Sequence, residues 1–359
     1  MIRKAGETAC NRWETVSSRG RPVPRSCMEE RTVPGDKGRG CASFPRGDFR
    51  ESCVPGRIRF EPDIGDRGYS AMKKEPFVPV VIIGAGRSGT NILRDTLARV
   101  PGLGTWPCDE INYIWRHGNV RWPNDEFSIE HARPEVKAFI RRAFQKLAVS
   151  RGFTHVVEKT CANSLRVAFV NAVLPDAKFI HILRDGRDVV SSAQKRWTAR
   201  LDLPYVMAKA RFVPVSDVPY YASRYLWNRI YMLSSGEKRL AFWGPRFRNL
   251  DDALKNHSLE EVCALQWMRC VEKAEDELGS IEPSRIHRVR YERFVSDPAA
   301  ELTKIIAFLG LEKVSGPIER WVAPVKTDSV GKGRREMKSD RMLSVENLMQ
   351  GTLERFGYL

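Results

Sequence analysis

Residues 77–91, FVPVVIIGAGRSGTN, constrain the fold more than any other stretch of the chain. An apolar run rich in β-branched residues reads as a strand buried on both faces, as in the middle of a parallel sheet. It stops at a glycine-rich corner, and SGTNILRDTLARV then sets Leu93, Leu97 and Val100 on one helical face. A strand that turns through glycines into a helix N-terminus offers backbone N–H groups to an anion. The corner therefore predicts a site for a phosphate compound.

Further on, THVVEK and AKFIHIL read as short strands, the second entering a helix through RDGRDVVSS. Ser258 and Glu261 form a capping box before a helix with Cys263, Trp267, Cys270, Ala274 and Leu278 along one side. RIHRVRYE is a late strand. Asp297 and Pro298 then open a helix that faces Leu302, Ile305, Ile306 and Leu309 inward until Gly310 stops it. This alternation predicts an α/β fold with a mostly parallel central sheet, and 359 residues suffice for one large domain of that class.

Residues 1–73 read differently. Over residues 1–71, twelve arginines and two lysines oppose ten acidic residues, a net charge of +4, with no sustained apolar periodicity. Such a segment buries too little apolar surface to offset its own ordering entropy. It is expected to be a basic, disordered N-terminal extension, with residues 74–359 as the folded domain. A basic arm for nucleic acid, or a translation start at Met72, are the alternatives. The formal charge of +16 points to anionic partners in general. No run of 18 or more apolar residues and no secretory-type N-terminus is present. The eight cysteines form no C-x-x-C pair, so structural zinc and a disulfide framework are not expected, and a reducing cytoplasmic location is.

The corner itself admits three readings. Gly84, Gly86 and Gly89 spell G-x-G-x-x-G, and Asp109 and Glu110 lie where a ribose-binding acid would sit in a dinucleotide fold. That acid must end a second buried strand, and VPGLGTWPCDE makes a poor central strand. Gly84 and Gly89 also fit the ends of a P-loop triphosphatase motif, but Thr90 stands where its lysine should be. The third reading uses Gly86, Arg87, Ser88, Gly89, Thr90 and Asn91. A cation, hydroxyls and amides at a helix N-terminus suit a 5′-phosphate whose neighbouring group carries less charge. FIHILRDGRDVVSS places Arg184 at the strand's carboxyl end and Ser192 eight residues on. It reads either as the second anion site that a nucleotide with a 3′-phosphate requires or as a solvated cluster of Arg184, Asp185, Arg187 and Asp188 at a strand end.

GRSGTN resembles the 5′-phosphosulfate loop of sulfotransferases, and Arg184 with Ser192 resembles their 3′-phosphate site. VVEKTCANSLRV, VRYERFVSDPAAELTKIIAFLGL and the closing LERFGYL are similar to segments of bacterial and tyrosyl-protein-type members. The resemblance covers residues 76–359, least closely over 197–255. It implies a P-loop-NTPase-like three-layer fold and 3′-phosphoadenosine 5′-phosphosulfate (PAPS) as co-substrate, with no metal. Three departures stand out. Asn91 replaces the usual second threonine, Cys161 stands where proline is frequent, and SVGKGRRE (329–336) is a loose counterpart of the usual late loop. That loop adds Ser329 and Lys332 as donor-binding candidates.

Sulfuryl transfer needs a base for the acceptor proton and cations for the charge that builds on the leaving oxygen. The cations expected here are Arg87 and Lys159, the latter at the end of the second inferred strand. The lysine-x-histidine element of small-molecule members is absent. Similarity to tyrosyl-protein-type members implies Glu110 as base, with Asp109 and His155 as alternatives. Residues 197–247 hold eleven aromatics, and 197–255 is expected to be a helical, aromatic insertion that either covers an acceptor or packs as core. The acceptor is open among small-molecule, carbohydrate, lipid and peptide hydroxyls, or an amine. The rival of a different class is a basic, non-catalytic nucleic-acid-binding protein.

Overall fold

The computed structural model describes residues 77–198, 212–234, 243–314, 316–337 and 339–359. Residues 1–73, read above as a disordered extension, fall outside the described residues, as do parts of the 197–255 insertion.

The centre is a five-stranded sheet in which every neighbouring pair is parallel. Its strands are β1 (Val78–Ile83), β2 (Leu103–Thr105), β3 (His155–Lys159), β4 (Lys178–Leu183) and β5 (Ile286–Arg290), ordered β2-β3-β1-β4-β5. The apolar run of residues 78–83 is thus the middle strand. Side chains alternate across it. Val80 and Ile82 pack on one face with Leu93, Leu302 and Ile305, while Val81 and Ile83 pack on the other with Phe144, Phe169 and Phe179.

Helices cover both faces, giving three layers. The first half contributes α1 (Thr90–Leu97), α2 (Asn112–Trp115), α3 (Pro134–Arg151), α4 (Val167–Val173) and α5 (Gly186–Trp197). Then come α6 (Val218–Ser234), α7 (Leu250–Asn256), α8 (Leu259–Leu278) and α9 (Tyr291–Ser296). The chain closes with α10 (Pro298–Leu309), α11 (Ile318–Val322), α12 (Lys332–Glu336) and α13 (Ser339–Arg355). The capping box forms as read: Ser258 Oγ accepts from Glu261 N at 3.3 Å, and Ser258 N donates to Glu261 Oε2 at 2.9 Å. Asp297 caps α10 through Ala300 N at 3.1 Å, and Gly310 ends it at φ 76°.

This is the expected α/β, P-loop-like architecture. It also settles the dinucleotide reading. In a dinucleotide fold the strand after the first helix pairs with β1. Here, among the described residues, β2 pairs only with β3, at the sheet edge. The stretch that makes a poor central strand is a three-residue edge strand, where glycine costs less.

Candidate functional site

β1 delivers the glycine corner to the carboxyl end of the sheet. Gly84 lies so close to β4 that a Cβ there would stand 2.8 Å from Ile182. Its N–H donates to Ser164 Oγ at 3.0 Å, which ties the corner to the chain following β3. Arg87 and Gly89 both adopt positive φ, 70° and 87°, and left-handed backbone on a non-glycine residue is strain of the kind found at binding loops. Gly89 rests directly on Tyr291 of α9. A Cβ on it would come within 2.2 Å of the ring. Thr90 Oγ1 lies 3.7 Å from Cys161 Sγ, so the cysteine that departs from the family pattern underlies the loop. Ser88 is buried, and its hydroxyl has no hydrogen-bond partner among the described residues.

β4 delivers Arg184 to the same edge, where its guanidinium is almost spent on structure. Nη1 donates to Arg87 O at 3.0 Å and Nη2 to Ser329 O at 2.5 Å, while Cζ lies 4.3 Å over the Tyr291 ring. Only Nε is left without a partner among the described residues. Tyr291 Oη and Ser329 Oγ are 2.6 Å apart. Arg87 Nε donates to Ser192 Oγ at 2.9 Å across 105 residues of sequence. The structure therefore brings Gly86–Asn91, Arg184, Ser192 and Ser329 into one place. Lys332 stands on the exterior, half exposed and 3.6 Å from Glu336. Its neighbours do the docking, for Gly331 and Gly333 donate their N–H groups to Asp188 at 2.7 and 2.6 Å.

A third group gathers at the end of β3. Lys159 is buried, with Nζ 3.1 Å from Asp109 Oδ1 and 3.0 Å from Glu110 Oε1. Burial works against its charge, but the Glu110 and Asp109 carboxylates and the neighbouring Cys161 together outweigh it and hold the ammonium above its ordinary pKa. Glu110 Oε1 also accepts from Cys161 N at 3.4 Å, and Asp109 Oδ1 accepts from Arg94 at 3.0 Å. Neither acid enters the first turn of α2, which begins at Asn112. They turn to the lysine and not to a helix dipole. His155 begins the same strand, about 13 Å away at β-strand rise. It is buried against Thr154 Oγ1 at 3.0 Å, and burial lowers its pKa.

Three site residues escaped the sequence reading. Tyr291 is one; its signal was a tyrosine at a strand's carboxyl end. Thr160 and Glu158 are the others. Thr160 Oγ1 accepts from Ile111 N at 3.2 Å, next to Glu110, and donates to Glu158 Oε1 at 2.5 Å. Glu158 also accepts from Asn163 Nδ2 at 2.9 Å. A carboxylate inside an apolar strand was the available signal, since such a group must find partners.

Burial pushes the Glu158 carboxyl up to about 7, against the opposing Thr160 hydrogen bond. Between its ordinary 4.5 and about 7 the folded chain keeps a proton that the unfolded chain has lost. Stability from this group is therefore complete below pH 4.5 and declines as pH rises to about 7. The decline is on the order of 3 kcal/mol. Glu158→Gln cannot ionise, so urea denaturation at pH 4.5 and 7.5 is expected to show a smaller loss in the variant than in the parent. Equal losses would mean that Glu158 titrates normally.

A family model described as the sulfotransferase family matches residues 79–212 and 237–315. Among curated proteins, the ω-hydroxy-β-dihydromenaquinone-9 sulfotransferases Stf3 of Mycobacterium bovis and Mycobacterium tuberculosis are 24% identical over 156 residues. That match takes in 44% of this chain and 29% of the relatives' length. Solved structures similar to it include the sulfotransferase domain from the curacin biosynthetic pathway (14% identity, TM-score 0.43, 77% of this chain and 98% of that one). Sulfotransferase STF1 from Mycobacterium tuberculosis is another (12% identity, TM-score 0.44, 77% and 78%). At TM-scores below 0.5 these structural likenesses add nothing to the assignment. The family model alone takes in more than half of the residues, including the glycine corner, Lys159 and the Arg184 corner, and on that match the chain belongs to the sulfotransferase family.

Proposed function

We propose that this chain transfers the sulfuryl group of PAPS to a hydroxyl or amine acceptor, and that the site assembled above does so. Membership in the family implies PAPS as co-substrate. The observation that carries the reading is a pair of orphaned polar groups. Among the described residues, Ser88 Oγ in the first corner and Arg184 Nε in the second are buried without partners, although Arg184 Nη1 and Nη2 and Arg87 Nε beside them are bonded. A buried donor left unpaired is costly, and a nucleotide with phosphates at both ends would satisfy the two together.

In this reading the loop amides of 86–91, the hydroxyls of Ser88 and Thr90 and the Asn91 amide hold the 5′ end. Arg184 and Ser192 hold the 3′-phosphate, with Ser329 and Lys332 contributing from the late loop. PAPS, when bound, supplies an activated sulfuryl group. Arg87 and Lys159 provide positive charge where negative charge builds on the leaving oxygen. Glu110 takes the acceptor proton at a carboxylate oxygen, and Lys159, fixed between Asp109 and Glu110, holds that carboxylate in place. The acceptor is a small molecule, lipid, carbohydrate or peptide that carries the hydroxyl or amine. The mycobacterial relatives are by name sulfotransferases of a hydroxylated dihydromenaquinone, which favours the apolar end of that range.

Calorimetric titration with 3′,5′-phosphoadenosine tests the reading. Saturable binding is expected, and no binding at millimolar nucleotide would overturn it. Arg184→Ala removes a charge-assisted pair and should weaken binding by about 2 kcal/mol, roughly thirtyfold. Parent-like affinity in that variant would show that the second corner is misread.

A further inference from the structure

Five apolar residues that the core does not use lie on one short length of chain. Val215, Val218, Leu226, Trp227 and Ile230 are all exposed, Leu226 at 60% and Trp227 at 66%. Positions 218, 222, 226 and 230 of α6 step by four residues and share a face, and Ala222 between them is exposed as well. Another side of α6 faces the protein: Tyr221 meets the ring of Tyr113 edge-on at 4.7 Å, and Tyr113 follows Glu110 by three residues. The outward face is therefore real surface on a helix held at the acceptor end of the site.

A continuous exposed apolar face of this length marks a surface that something covers. Its chemistry narrows the choice. The sequence of α6, VPYYASRYLWNRIYMLS, has five aromatic residues, two arginines and no acid. Residues 195–239 together carry nine lysines and arginines against three acidic residues. Tryptophan and tyrosine among aliphatics, with arginines and no acid, is the composition of a helix that lies in a membrane interface. A helix with arginines and no acid also opposes a second copy of itself as occupant, since like charges would meet. We propose that α6 docks through this face on an anionic lipid bilayer surface. The chain then lies on the bilayer without crossing it, and among the described residues no helix is long and apolar enough to cross. This docking stands apart from the assignment of PAPS and Glu110, because it uses none of the residues assigned to them.

Flotation of the full chain with vesicles tests it, using phosphatidylcholine alone and an equimolar mixture with phosphatidylglycerol. The chain is expected to float with the mixed vesicles, less so with phosphatidylcholine alone, and less at high salt. The double variant L226S/W227S should lose about tenfold or more of its partitioning, the worth of two exposed side chains withheld from the lipid. Both residues are exposed, so its melting temperature should match the parent; if it does not, Trp227→Ala alone is read in its place. Undiminished flotation of the variant would overturn the proposal by placing lipid binding elsewhere on the chain. Absence of flotation with either vesicle would overturn it as well. So would sedimentation showing a dimer that the substitutions dissociate, which would make a second copy the occupant.

Discussion

Glu110→Gln is expected to lower turnover about 100- to 10,000-fold, the range for a lost general base, while affinity for 3′,5′-phosphoadenosine stays as in the parent. Glutamine keeps the size of the side chain and one carbonyl oxygen for Lys159 Nζ and Cys161 N, which lie 3.0 and 3.4 Å from Glu110 Oε1. What it loses is basicity. The phosphate corners are built from other residues, so the donor should not sense the change. Asp109→Asn is the informative companion. Asp109 shares Lys159 with Glu110 but also engages Arg94 at 3.0 Å, and its substitution is expected to act on placement of the lysine and so cost less. His155→Ala should leave turnover nearly unchanged, since His155 begins the strand that Lys159 ends. Initial rates with PAPS and an aliphatic or aromatic alcohol, after acceptor screening, measure all three. Normal turnover in Glu110→Gln with loss in Asp109→Asn would move the base by one residue and leave the donor site as it is.

The order of these effects rests on contacts that sequence reveals unevenly. The first strand, its glycine corner and the helix beyond were legible because their physics is local: β-branched run, left-handed glycine, helical period. The caps of α8 and α10 were legible for the same reason, each being a side chain three residues from its partner. β2 was not, because a strand of three residues at a sheet edge leaves little pattern, and its glycines look like loop. Gly104 in fact lies where a Cβ would stand 2.1 Å from the Phe153 ring, a constraint from another element. Lys159 was found because it ends a strand. Asp109 and Glu110 were named as acids, but their pairing with Lys159 was not legible, since they are some fifty residues away and equally suited to a helix start. In the insertion, composition gave the aromatics but no direction. The structure turns Tyr221 inward and Trp227 outward on one helix, and only that distinction makes a surface of it.

The second large effect is expected at a residue with no side chain. Gly89→Ala should weaken binding of 3′,5′-phosphoadenosine by about a hundredfold or more and lower the melting temperature on the order of 10 °C. Two costs act at once. Alanine at φ 87° is held in left-handed backbone, which disfavours any L side chain by about 1–2 kcal/mol. Its Cβ would also stand 2.2 Å from Tyr291 Cδ2 and 2.5 Å from Cε2, so the ring or the loop must move. The ring is not at liberty to move alone. It carries the Arg184 guanidinium on its face at 4.3 Å and Ser329 on its hydroxyl at 2.6 Å, so displacement disturbs both phosphate corners together. Gly86→Ala is the control on the same loop. Gly86 has no positive φ, and its Cβ would meet only Trp243, at an ordinary 3.5 Å. Its melting temperature in the absence of nucleotide is expected to match the parent's. Differential scanning calorimetry with and without nucleotide separates the two contributions. The strain lowers the melting temperature of the free protein, while the lost corners shrink the upward shift that saturating nucleotide gives. A Gly89→Ala protein that melts low but keeps the parent's full nucleotide-induced shift would mean that Tyr291 supports the loop without ordering the donor site.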